Sequence, residues 1–90
     1  MSKQHIQIRL SELGKPLLRI DDWEVFDFVD DFLTDRNFIY DFFTTESIDG
    51  KETFIMHFND QPSYEALKEI VSTISQEAIE EIWLINNSNA

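Results

Sequence analysis

Ninety residues leave room for one hydrophobic core, so a single domain over 1–90 is expected. An apolar fraction of 42%, with eight Phe among the aromatics, is more than acidic disordered chains carry and enough to fold unaided. The 18 acids against 7 bases give a net charge of -11, beyond the roughly 2 to 8 units that solubility asks of a small domain.

A field of that sign repels nucleic acid and anionic membranes and draws in basic partners, speeding encounter by roughly 10 to 1000-fold when focused on one face. The absence of Cys excludes disulfides and thiolate metal centres and points to a cytoplasmic location. No apolar run has the length of a signal h-region or a membrane span, so neither export nor anchoring is expected.

Ile6, Ile8 and Leu10 alternate with Gln7 and Arg9, the period of a strand with one buried face. Gly14-Lys15-Pro16 breaks the chain, and Leu17-Leu18-Arg19-Ile20 reads either as a second strand of a hairpin or as an extended lead-in to a helix. Asp21 with Glu24 three residues later suits an N-cap, and a helix is expected from about 22 to 34. Val25, Phe26, Phe28, Val29, Phe32 and Leu33 form its apolar arc, while Glu24, Asp27, Asp30, Asp31 and Asp35 gather opposite, with Trp23 on their border.

From Asn37 the period changes. Phe38, Tyr40 and Phe42 would share one face of a strand, and Asp49-Gly50 signals a type I′ hairpin turn with a return strand over about 53–58. A tight turn would set Phe43 against Met56, Thr45 against Phe54, Phe42 against His57 and Thr44 against Ile55; a bulged loop would shift this by one. Asp60 and Ser63 around Pro62 announce a second helix with Leu67, Ile70, Val71 and Ile74 as its stripe. The run Ile82-Trp83-Leu84-Ile85 suits a central strand covered on both sides, and residues 86–90 form a polar tail.

This order predicts an α+β domain of ferredoxin-like β(β)αββαβ type, an antiparallel-rich sheet with two helices packed on one face. The opposite face would then be open to solvent or to a partner.

Little in the chain points to catalysis. His5 and His57 lie on different strands without a second ligand at metal spacing and read as structural side chains. The two Gly are far apart, which excludes a phosphate loop or dinucleotide fingerprint. The neighbours Asp30-Asp31 and Glu80-Glu81 do not face each other on a helix, and Asp49-Gly50 lacks the alternating oxygens of a calcium loop. No catalytic residue, metal or cofactor is therefore expected.

Two surfaces suit protein binding. From Asp21 to Asp35 there are seven acids and no base. Glu24, Asp27, Asp31 and Asp35 repeat at about 5 to 6 Å, a pitch and charge like those of a phosphate strand. A solvated helix face has the same pattern, but here it concentrates the excess charge beside Trp23, and an aromatic anchor next to complementary charge is typical of interface hot spots. Partner-binding residues are thus expected at Trp23, Glu24, Asp27, Asp30, Asp31 and Asp35. The alternative is an aromatic sheet face carrying Phe38, Tyr40, Phe42, Ile55 and His57, which would be core if helices cover it and a dimer or partner interface, and so the basis of a self-associating module, if they do not.

In size, acidity, lack of Cys and α+β pattern the chain resembles the small immunity proteins that neutralise bacterial toxins, many of them nucleases. The likeness is one of composition and element order. It implies a basic protein partner such as a toxin domain. A monomer or weak homodimer is expected.

Overall fold

The structure is a computed structural model and describes residues 5–59 and 61–87. Alternation in the first twenty residues produces two strands, β1 (Ile6–Leu10) and β2 (Pro16–Ile20), joined by a turn at Gly14. In β2 Pro16, Leu18 and Ile20 are buried while Leu17 and Arg19 are half-buried, so the segment is a strand and not a lead-in.

Helix α1 spans Trp23–Thr34, and its N-cap is Asp22, whose carboxylate accepts from Val25 N–H at 3.1 Å. Asp21, the expected cap, instead holds His5, whose Nδ1 lies 3.0 Å from both carboxylate oxygens. The helix closes in a Schellman-type end. Asn37 adopts φ 64°, Asn37 N–H donates to Thr34 at 3.0 Å and Phe38 N–H donates to Leu33 at 2.8 Å.

That reversal aims Phe38 back at the core and delays the next strand. β3 is Phe42–Ile48 and β4 is Lys51–His57, so the strand begins at Phe42 and not near Asn37. Asp49 and Gly50 both have positive φ, as a type I′ turn requires. The tight register follows, with Phe42 opposite His57, Phe43 opposite Met56, Thr44 opposite Ile55 and Thr45 opposite Phe54.

Ser63 caps α2 (Tyr64–Ser72) by accepting from Ala66 N–H at 3.2 Å; Asp60 lies outside the described residues. Ser75 then starts α3 (Gln76–Asn87), accepting from Ala78 N–H at 3.3 Å. The run from Ile82 to Ile85, expected as a strand, is part of this helix. Ile79, Ile82 and Trp83 recur at helical spacing and pack inward, whereas Leu84 and Ile85 are 56% and 63% exposed. The expected tail enters the helix as far as Asn87, and residues 88–90 lie outside the described part.

Among the described residues the sheet has four antiparallel strands in the order β1-β2-β4-β3, with three helices in place of two. With residues 82–85 helical, no described strand follows α2, and the order β1-β2-β4-β3 is not the ferredoxin-like one. What remains is an α+β domain in which two hairpins pair through β2 and β4. Ile6, Leu18, Ile20, Met56 and Phe58 meet Val25, Phe26, Val29 and Leu33 of α1, together with Leu67, Val71, Ile74 and Ile79.

Candidate protein-binding face

Four buried side chains, Val25, Phe26, Val29 and Leu33, fix the orientation of α1 on the sheet. Glu24, Asp27, Asp31 and Asp35 consequently lie exposed on the opposite side, one turn apart along a single ridge. Like charges at this spacing oppose the helix, and Asp31 and Asp35 also sit at its C-terminal end, where the dipole favours cations and the last turn holds no base.

Asp30 is set apart from that ridge. It is half-buried, accepts from Thr34 Oγ1 at 3.3 Å, and acts on the phenol of Tyr40, which burial and then the Asp30 carboxylate push above its ordinary value. Trp23 lies on the same flank, 48% exposed, stacked on Phe26 at 5.2 Å and edge-on to Phe54 at 5.3 Å. It is therefore held rigidly from beneath while one side remains open.

The other flank carries Phe28, Phe32 and Arg36. The Arg36 guanidinium lies 3.7 Å over the Phe32 ring and donates to the Phe32 carbonyl at 3.0 Å, which keeps it at the end of the ridge. With Asp31, Thr34 and Asp35 these side chains line a shallow groove of about 640 Å³.

The residues of the alternative face are divided. Phe42, Ile55 and His57 share the sheet face away from the helices, as the register requires. Phe38 and Tyr40 do not join them: they precede β3 and pack on the helix side, where the Tyr40 ring meets Phe26, Phe43 and Phe58. On the uncovered face Phe42 stacks on His57 at 4.5 Å, and Thr44 Oγ1 and His57 Nε2 are 2.8 Å apart.

Ile55 is only 6% exposed there, because an ion pair at 2.7 Å between Arg19 of β2 and Glu46 of β3 crosses β4 beside it. Alternation places Arg19 on this face, but its partner depends on the pairing of β2 with β4, which no local pattern encodes. The stack of His5 on Trp83 at 4.9 Å is equally invisible locally, since it joins the residue before β1 to the last helix.

Among the described residues no three His, Asp or Glu side chains are grouped to hold a metal ion, and no helix is long and apolar enough to cross a membrane. Comparison with protein-family models, curated proteins and solved structures finds no match for the chain.

Proposed function

We propose that this chain is a small acidic inhibitor of a basic protein, an immunity protein for a bacterial toxin of nuclease type, which docks α1 on the toxin's basic site. The observation that carries this reading is the ridge of Glu24, Asp27, Asp31 and Asp35, left exposed beside a half-open Trp23 that is braced by Phe26 and Phe54. The acids steer encounter and occupy a groove shaped for phosphates; Trp23 holds the docked state. Inhibition then comes from occupation, with no turnover and no cofactor.

A self-associating module built on an aromatic sheet face has less support, because Phe38 and Tyr40 lie on the other side of the sheet from Phe42 and His57. The test starts with co-expression and pull-down against the neighbouring gene product, followed by binding kinetics. Reversing Asp27, Asp31 and Asp35 to Lys should slow association by roughly 10 to 100-fold and flatten its salt dependence. Trp23→Ala should instead speed dissociation, by roughly 30-fold for a hot-spot anchor. Wild-type kinetics in both variants would remove α1 from the interface.

A further inference from the structure

β3 is an outer strand of the sheet, and residues 42–47 are all exposed. Edge strands are ordinarily guarded by Lys, Pro, a bulge or a charge directed across the edge. The segment Phe42–Ile48 contains no Lys, Arg, Pro or Gly. Its one charge, Glu46, is drawn the other way, over β4, by Arg19. β1, the opposite edge, is two residues shorter and carries Arg9.

The register identifies the free backbone groups. Ile48 and Lys51 close the two-residue turn as a hydrogen-bonded pair, so alternation turns the N–H and C=O groups of Phe43, Thr45 and Ser47 away from β4. Their side chains are on the helix side of the sheet, where Phe43, 41% exposed, and Trp23 have ring centres 6.4 Å apart. Those two rings form an apolar shelf beside the free edge.

The surrounding charge has one sign. Asp41 and Asp49 bracket the strand, Glu52 pairs with Ser47 on β4, and Asp27 and Asp30 lie along α1. Lys51 is the only Lys or Arg between residues 37 and 67.

We propose that β3 accepts a fifth strand from an extended, Lys- or Arg-bearing segment of the protein partner. Backbone hydrogen bonds to Phe43, Thr45 and Ser47 hold the segment, its apolar side chains lie on the Trp23–Phe43 shelf, and its bases meet the flanking acids. A second copy of the chain fits this edge less well, since two molecules of net charge -11 would be brought together. The inference rests on the reading of the chain as a binder of a basic protein and adds a contact that α1 alone does not make.

The probe is an end-capped (Lys-Val)4 peptide, with (Lys-Pro)4 as a control of equal charge that cannot pair as a strand. The first should bind roughly tenfold or more tightly than the second and slow hydrogen exchange at the Phe43, Thr45 and Ser47 amides. Thr45→Pro removes an outward N–H without touching the ladder to β4, and should abolish the difference between the peptides while circular dichroism stays unchanged. If that variant fails to fold, amide protection in the wild type decides. Equal binding of the two peptides, unprotected β3 amides, or a dimer of the chain alone joined through β3 would each overturn the proposal. With the native partner, Thr45→Pro at wild-type affinity alongside slowed association of the Asp→Lys variant overturns strand addition alone. Wild-type kinetics in the Asp→Lys and Trp23→Ala variants, with Thr45→Pro impaired, overturns the α1 reading alone.

Discussion

Asp31→Lys should make the fold more stable while weakening its use as a binder. Asp27 precedes Asp31 by four residues and Asp35 follows it by four, so one carboxylate takes part in two repulsive pairs of about 0.2 to 0.5 kcal/mol each. Lys turns both attractive and places a cation near the C-terminal end of α1, where the dipole contributes about 0.3 to 1 kcal/mol. Exposure and overlap of these effects reduce the total to a net gain of about 1 kcal/mol, or roughly 4 to 8 °C in Tm for a domain of this size. Thermal denaturation at low ionic strength reads it. Repeating the scan in about 1 M salt, where the screening length falls to roughly 3 Å, should erase most of the gain. A loss of stability, or a gain indifferent to salt, would refute the electrostatic account of this ridge.

Three further outcomes are expected. Gly50→Val should lower the denaturant midpoint by an amount equivalent to about 1 to 3 kcal/mol, since Gly50 holds φ 78° with open space around it, so the strain comes from the backbone alone. An unchanged midpoint would contradict the type I′ turn. Ile79→Ala, at a fully buried position of α3, should destabilise by about 2 to 5 kcal/mol, whereas Leu84→Asp should stay within about 0.5 kcal/mol; a large loss at Leu84 would mean that this segment packs as a covered strand. Ultraviolet titration should place the Tyr40 phenol above its ordinary 10.0, and Asp30→Asn should lower it only in part, because burial is the larger cause. The folded value exceeds the unfolded one, so this contribution to stability is complete below about pH 10 and is lost as pH rises through the folded value. Tyr40→Phe should remove that loss, as urea melts across this range would show.

The parts of the fold that were legible in the sequence are those set by neighbours in the chain. The period of Ile6, Ile8 and Leu10, the stripe of α1, and Asp49-Gly50 with the register it imposes all follow from local rules. The errors share a cause. A four-residue apolar run such as Ile82-Trp83-Leu84-Ile85 satisfies a buried strand and a helix alike, and only Ile79 with the intervening Glu80 and Glu81 shows which face turns inward. Phe38 and Tyr40 alternate with Phe42 as strand residues do, but the left-handed Asn37 reverses the chain first and sends the two rings to the core side.

The candidate site divides along the same line. Glu24, Asp27, Asp31 and Asp35 are one ridge because they are one helix, and helical period alone groups them. The support of Trp23 was not legible, since Phe54 reaches it from a strand 31 positions on and Phe43 from the edge beside it. Position in the sheet likewise decides what Glu46 does: with Arg19 opposite across β4 it closes over Ile55, and the edge it would otherwise guard is left uncharged. The acids on α1 are already arranged against helix stability, at like-charge spacing and at the unfavourable end of the dipole. An undefended strand beside them is a second departure from the rules that keep small domains apart. Two such departures sharing Trp23 as their border are more economically explained by one occupant spanning both than by independent accidents of sequence, and Asp31→Lys and Thr45→Pro separate the two contributions.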